Sequence, residues 1–302
     1  MVAWCALKRS RGPRRLELRA AAKVNLALEV LGKRPDGYHE IATVMLAVDL
    51  HDRLMLETAP TISFRSDDPG LPSDDRNLVV RAAGLLREAA GVEAGASIEL
   101  KKRIPVAAGL GGGSSDAAAT LWGLNRLWGL GWSRARLMAL AVTLGMDVPF
   151  FLGNGPAVAT GRGDHLEPLG RMGGYALVLV NPRMGLSTRE VYERVPMNWR
   201  GDTAGTTRMV EALRMRSAAR LAGALTNHLE RIVEPLLPAV GRIKAALLAA
   251  GALGAMMSGS GPTVFGVARS LDHARQIRRR VNRADWACWA VRTQSGPAVR
   301  IV

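Results

Sequence analysis

Pro105-Val-Ala-Ala-Gly-Leu-Gly-Gly-Gly-Ser-Ser-Asp116 is the stretch on which the reading of this chain turns. Four glycines fall within positions 109–113, after a strand-like segment (Ser97–Ile104) and before a helical one that opens with Ser-Asp and three alanines (Ser115–Trp128). Backbone without Cβ lets N–H groups close on an anion. The N-terminus of the following helix adds unpaired donors and a partial positive charge, so a triphosphate suits the place. Ser114 and Ser115 offer hydroxyls to a phosphate or to a metal carried on it. No Gly-Lys-Ser/Thr ends the loop and the glycine spacing is not that of a dinucleotide site, so neither common nucleotide loop is present. Taken alone, the segment also reads as a glycine-rich turn with a serine cap.

Upstream, the even positions from Leu16 to Val30 are all apolar, while the odd ones include Glu17, Arg19, Lys23, Asn25 and Glu29. Period-two alternation is the signature of a half-buried strand or strand pair, and it puts Lys23 and Asn25 side by side on one face. A breaker-rich turn follows (Gly32, Pro35, Asp36, Gly37), then an apolar segment 41–50, a strand-like stretch 53–57 and a helical one 78–90. Downstream, a helix is expected over about 134–144 with Ser133 as its cap and Gly145 as its stop, leaving Asp147 in a short connection. Ser187-Thr-Arg-Glu190 is a capping box. Helices are expected around 207–222 and 238–250. Strands at 175–180, 252–257, 263–268 and 286–292, with a helix at 272–282, give a β-α-β-β-α-β order, the split βαβ arrangement of ferredoxin-like domains. The Gly/Pro-rich stretch 153–163 divides the chain. The expected division is a basic N-terminal extension over 1–15, a domain carrying the glycine loop over 16–158, and a second domain over 159–302.

Three segments in this order, Lys23, Pro105–Ser115 and Ser258-Gly-Ser-Gly-Pro262, resemble the superfamily named for galactokinase, homoserine kinase, mevalonate kinase and phosphomevalonate kinase. Ala22-Lys-Val-Asn-Leu26, Lys33-Arg-Pro-Asp-Gly-Tyr-His39 and Gly145-Met-Asp-Val-Pro-Phe-Phe151 make the chain most similar to the 4-diphosphocytidyl-2-C-methyl-D-erythritol kinases of the non-mevalonate isoprenoid pathway. The resemblance runs from about Leu16 onward. It implies an α+β fold of two domains, a ribosomal-protein-S5-domain-2-like one and a ferredoxin-like one, with the active site in the cleft between them. It implies transfer of the ATP γ-phosphoryl group to the 2-hydroxyl of a small-molecule acceptor, 4-diphosphocytidyl-2-C-methyl-D-erythritol, with Asp147 as base and Lys23 in support. Pro105, Val106, Ala107, Ala108, Gly109, Leu110, Gly111, Gly112, Gly113, Ser114 and Ser115 become the candidate ATP contacts. Asn25, Tyr38, His39 and Thr188 become the candidate substrate contacts. Mg²⁺ is expected to travel with the nucleotide, because no carboxylate pair stands out as its ligand. Arg183 stands where the resemblance expects glycine, and His228 where it expects aspartate.

The chain has 302 residues, 48% of them hydrophobic, and a formal net charge of +15. No apolar run reaches the roughly 20 residues of a membrane helix, and no secretory leader is evident. A cytoplasmic location is the expectation. Two cysteines, Cys5 and Cys288, make neither a disulfide framework nor a metal pattern. Much of the positive charge sits in the N-terminal extension and in the run Arg275, Arg278, Arg279, Arg280, Arg283. The charge leaves open a nucleic-acid-binding module, but aromatic residues are only 5% of the chain and none interleaves with the second run, so stacking platforms are few. Another small-alcohol kinase of the superfamily is the nearer alternative.

Overall fold

The computed structural model describes residues 14–302. Residues 1–13, with Cys5 and most of the expected basic extension, lie outside the described residues. In chain order the elements are β1 (Arg15–Lys33), β2 (His39–Ala59), β3 (Ser63–Ser66), α1 (Leu78–Ala90), β4 (Gly95–Lys101), α2 (Gly112–Leu127), α3 (Arg134–Ala141), α4 (Val148–Leu152), β5 (Ala157–Gly161) and β6 (His165–Pro168). There follow β7 (Ala176–Asn181), α5 (Thr188–Glu193), α6 (Ala204–Arg214), α7 (Ala218–Gly223), β8 (Thr226–Asn227), α8 (Glu230–Leu236), α9 (Ala239–Ala249), β9 (Gly254–Met257), β10 (Val264–Ala268), α10 (Leu271–Val281), β11 (Ala287–Arg292) and β12 (Val299–Ile301).

Two sheets carry the α+β fold. The larger, of eight strands, runs β12-β1-β2-β4-β3, with β5 on β2, β6 on β5 and β8 on β1. The smaller runs β11-β7-β10-β9, all antiparallel. Strand β12 returns to the first sheet, where Val299 pairs with Ala20, so the far end of the chain closes its edge.

The alternation at 16–30 belongs to a single 19-residue strand; Glu17 and Arg19 reach water, but from Lys23 onward its polar face does not. Lys23, Asn25 and Glu29 are all buried. Register shifts between Ala21 and Lys23, between Asn25 and Ala27, and between Val30 and Gly32 account for this. A bulge adds one residue and so exchanges the faces of everything after it. Leu18, Ala20 and Ala21 accordingly pack in the core under α1 and α2, Ala22, Val24 and Leu26 in a second core on the opposite side, and Leu28 and Val30 in a third under the smaller sheet. One strand thus stitches three cores together, and its polar residues emerge at the seams. The segments at 41–50 and 53–57 likewise form one strand, β2.

Each buried polar group at these seams is matched. The Glu29 carboxylate accepts from the backbone N–H groups of Gly205 (2.7 Å) and Thr206 (2.8 Å), capping α6 from across the fold. A Cβ on Gly205 would stand 2.6 Å from Glu29 Oε1, which explains the glycine. Helix amides without an acceptor are costly, and bonds to a charged acceptor are the stronger kind. Glu29→Ala is therefore expected to lower stability by about 3 kcal/mol. Urea melts of the two proteins check this; a loss under about 1 kcal/mol would mean that water replaces the carboxylate.

His228, in the position expected to hold aspartate, does structural work. Its Nδ1 accepts from the Val30 backbone N–H at 3.1 Å, at the last β1 bulge, and its ring lies 5.5 Å from that of Trp199. An aspartate oxygen would serve the same amide.

Candidate active site

A cleft of about 1090 Å³ is bounded by strands of the larger sheet, the glycine loop, α5 and the turn between β9 and β10. It is lined from β1 by Lys23 and Asn25, from the glycine loop by residues including Gly109 and Gly111, from the 34–40 turn by Tyr38 and His39, and from α5 by Thr188 and Tyr192. Asp147, Gly259 and Ser260 complete it.

The glycine loop is shaped by close approaches. Ala107, Gly109 and Gly111 all have φ near +50 to +75° (49°, 74° and 69°). A Cβ at Gly109 would overlap the Ser258 carbonyl oxygen and stand 2.9 Å from Gly261 N; one at Gly111 would stand 2.8 Å from Phe151 Cζ and 3.1 Å from Lys23 Cγ. The loop and the Ser258–Pro262 turn lock together: Ser258 Oγ donates to Gly109 O at 3.0 Å, and Thr263 N to Ala108 O at 3.2 Å. Lys23 N donates to Leu110 O at 2.9 Å, so β1 fixes the loop from below.

Helix α2 begins at Gly112, three residues earlier than the composition suggests, because Gly111 takes the left-handed cap conformation. No side chain caps it. Its first-turn amides are therefore open toward the cleft, the arrangement that binds phosphate. Of the eleven loop candidates, nine line the cleft. Leu110 is buried in the second core instead, and Ser115 is fully buried, with its hydroxyl unpaired among the described residues.

Lys23 and Asp147 meet at the foot of the loop, Nζ to Oδ2 at 3.3 Å, with the lysine side chain 5% exposed and the aspartate 37%. Asn25 Oδ1 accepts from Lys23 Nζ at 2.6 Å, while its Nδ2 donates to Thr43 Oγ1 at 2.8 Å. Thr43 Oγ1 in turn donates to Ala27 O at 2.6 Å. This chain of bonds orients the Asn25 amide with its oxygen toward the ammonium, and so holds the lysine toward Asp147. Asp147 precedes α4, whose proline at its second position and buried Phe150 and Phe151 anchor the carboxylate's backbone.

At the other end of the cleft, Tyr38 is 49% exposed and His39 lies beside Tyr192, ring centroids 5.3 Å apart. Burial, reinforced by the nearby Lys33 charge, pushes the His39 imidazole below its ordinary value, favouring the neutral ring. Burial and the Asp147 charge push the Tyr192 phenol up. Thr188 Oγ1 lies 2.8 Å from Ser260 Oγ, tying α5 to the second glycine turn. Ser187 caps α5 by accepting from Glu190 N at 3.4 Å.

Several residues here escaped sequence reasoning. Tyr192, four residues after Thr188, is reached only once α5 is seen to face the cleft. Asn227 donates to both Met257 O and Gly259 O at 2.8 Å and so shapes the second turn. Lys102 bridges two buried carboxylates, Asp52 and Asp116, the latter at 3.0 Å. A conspicuous Asp after Ser-Ser was the one signal of this triad. Arg183 adopts φ +56°, with its N–H bonded to Asn181 Oδ1 at 2.8 Å, which is why a glycine is expected there.

One ammonium cannot neutralise two carboxylates. Burial raises the Asp116 carboxyl to about 8; the Lys102 charge opposes this and Asp52 adds to it. An acid whose folded value lies above its unfolded one holds more protons when folded, so stability falls as pH rises across the interval from 3.8 to about 8. Asp116→Asn should abolish that slope. Urea melts at several pH values check this: wild type should lose its advantage over the variant as pH rises, and a pH-independent difference would refute the assignment.

Among the described residues no group of three or more His, Cys, Asp or Glu side chains converges on a metal position. Among the described residues no helix is long and apolar enough to cross a membrane. The basic run near α10 is partly spent locally: Arg275 pairs with Asp272, Arg283 with Asp285, and Arg280 donates to Ala250 O.

A glycine loop opening a helix, a lysine–aspartate pair at its foot and a second glycine turn braced against it define a small-molecule kinase of the GHMP type. Models of the GHMP kinases N terminal domain and the GHMP kinases C terminal match residues 77–155 and 209–287, and the chain belongs to this family. Among its relatives is the 4-diphosphocytidyl-2-C-methyl-D-erythritol kinase of Pelotomaculum thermopropionicum, 51% identical over 276 residues, 91% of this chain and 96% of that one. The same-named kinase of Symbiobacterium thermophilum is 47% identical over 92% of this chain and 99% of its own. A crystal structure of 4-(cytidine 5'-diphospho)-2C-methyl-D-erythritol kinase, 39% identical, superposes with a TM-score of 0.79 over 93% of this chain and 100% of that one. The fold alone is shared with homoserine kinase from Cytophaga hutchinsonii (21% identity, TM-score 0.77, 100% of both chains).

Proposed function

We propose that the cleft transfers the γ-phosphoryl group of ATP to the 2-hydroxyl of 4-diphosphocytidyl-2-C-methyl-D-erythritol. The observation that carries this reading is the presence in one cleft of the open α2 N-terminus, the Lys23–Asp147 pair and the Tyr38–His39 turn. ATP supplies the phosphoryl group. The loop from Val106 to Ser114 receives its phosphates on backbone N–H groups, and Mg²⁺ would be carried on the nucleotide, where it would screen the phosphate charge. Asp147 takes the acceptor's hydroxyl proton as the new O–P bond forms, and the β–γ bond breaks with its electron pair leaving on ADP. Lys23, aimed by Asn25, stabilises the incipient alkoxide and the charge spreading over the transferring group.

At the far end, a neutral His39 has one donor and one acceptor nitrogen, a match for the edge of a cytosine. Tyr38 offers a ring face for stacking. Thr188 stands at the acceptor side of the second glycine turn. The nucleotide side spans 16–158 and the substrate side 159–302, with β5, β6, β8 and β12 lending strands across that division. The order β11-β7-β10-β9 supports a ferredoxin-like reading of the smaller unit, and the larger unit is read as ribosomal-protein-S5-domain-2-like. A panel of alcohols with labelled ATP tests the acceptor. The cytidine diphosphate compound should be phosphorylated, and homoserine and mevalonate left untouched; the converse pattern would transfer the chain to a sister activity.

A further inference from the structure

Six cationic side chains line the cleft. Arg162 is unlike the others in that its guanidinium also lies over an aromatic ring, Cζ 5.3 Å from the centroid of Tyr38. The arginine is itself held in place. Its Nη2 donates to Asp164 Oδ2 at 2.9 Å, and its backbone N–H donates to Asp164 Oδ1 at 3.1 Å. Asp164 is only 11% exposed, so this anchor is sheltered from competing water.

Tyr38, by contrast, sits on a hairpin turn whose backbone is fixed but whose ring is not enclosed. Asp36 Oδ1 accepts from Tyr38 N at 3.1 Å, and Arg34 pairs with both Asp36 and Glu40. These contacts set where Cα lies and leave the two side-chain torsions to be set by neighbours. A guanidinium within about 6 Å of a ring face is attracted to it, so Arg162 supplies the missing constraint.

We propose that Arg162, anchored by Asp164, is a positioning residue that fixes the ring plane of Tyr38 as a wall for the pyrimidine, and so helps select a cytidine-bearing acceptor. The inference rests on the function proposed above. A wall set in advance costs the ligand no ordering on binding, so its loss is felt in acceptor affinity and not in the transfer step.

Steady-state kinetics of Arg162→Leu test this. The KM for the cytidine diphosphate acceptor should rise about fivefold, with kcat within about twofold of wild type and KM for ATP unchanged. Arg162→Lys should recover part of the loss, since an ammonium also attracts a ring face. In a Tyr38→Leu background, adding Arg162→Leu should change KM little further, because the two residues act as one unit. An unchanged KM, a lowered one (the guanidinium then obstructing the ring face) or an equal loss in the Tyr38→Leu background would overturn the proposal. If Arg162→Leu does not fold, Asp164→Asn carries the test, with a rise of about twofold expected and no change contradicting it. A wild-type protein that neither turns over the acceptor nor binds CMP in calorimetry overturns the proposed function and this inference with it. Wild-type turnover with unaffected variants overturns this inference alone.

Discussion

Asp147→Asn is expected to reduce kcat at least about a hundredfold while ATP binding stays within about twofold of wild type. The amide keeps the shape of the side chain and its place before α4, whose buried Pro149, Phe150 and Phe151 hold the backbone. What it loses is the capacity to take a proton and the charge that faces Lys23 Nζ at 3.3 Å. General-base assistance is typically worth two to four orders of magnitude, so the predicted loss sits at the lower edge of that range. Nucleotide affinity should survive because the proposed function seats the phosphates on α2 amides and not on this carboxylate. Turnover within tenfold of wild type would remove Asp147 from the role of base, whereas loss of ATP binding would mean that the residue shapes the nucleotide site itself. Titration with a fluorescent ATP analogue alongside steady-state rates separates the two.

Gly109→Ala is expected to be the most damaging single methyl in the chain. At φ +74° an L side chain is already strained, and the new Cβ would overlap the Ser258 carbonyl and crowd Gly261 N at 2.9 Å. Left-handed backbone costs about 1–2 kcal/mol without glycine, and overpacking a rigid contact adds about 1–3 kcal/mol, so a loss of about 3 kcal/mol or more is predicted. The same displacement would push the Ser258–Pro262 turn off the loop and break the Ser258 Oγ bond to Gly109 O. Nucleotide binding should fall with stability. As a contrast, Gly131→Ala also meets a positive φ of 66° but has no neighbour within 4 Å of its Cβ, and should lose only the backbone term. Equal destabilisation in the two variants would show that the interlock between the glycine turns contributes nothing.

Much of the architecture was legible because local chemistry and tertiary context agree. Helix α1 is bounded as its sequence dictates, Asn77 accepting from Val79 N at 2.9 Å and Gly91 closing it at φ 60°. Ser133 caps α3 and Ser187 caps α5 as their positions imply. The strands and helices of the smaller sheet appear in the order expected, shifted by one or two residues at their ends. Where the reading fell short, the cause is long-range. The polar face of β1 looks solvent-exposed in sequence, yet the folded strand buries Lys23 and Asn25 together at one site and Glu29, beyond the next bulge, at another. Strands β5, β6, β8 and β12 are two to five residues long and exist because β1, β2 or, for β6, β5 offers an edge, which no local pattern announces. Helix α8 contains Pro235 and so contradicts local propensity.

The candidate site divides the same way. Lys23, Asn25 and the glycine loop were legible because glycine spacing and strand alternation encode them locally. Tyr38, His39, Asp147 and Thr188 were singled out by resemblance, and the fold brings all of them to one cleft. Tyr192, Asn227, Ser258 and the Asp52–Lys102–Asp116 triad act through partners up to 233 residues away, as in the Asn25 N to Ser258 Oγ bond, and only a folded chain reveals such pairs.

The most direct measurement is phosphorus NMR of the products after incubation of the protein with ATP, Mg²⁺ and 4-diphosphocytidyl-2-C-methyl-D-erythritol. One new phosphomonoester resonance on the acceptor, growing in step with ADP and with the cytidine diphosphate linkage intact, is the predicted result. ADP without that resonance, or no turnover here while parallel incubations with homoserine or mevalonate as acceptor yield their phosphates and ADP, would contradict the account.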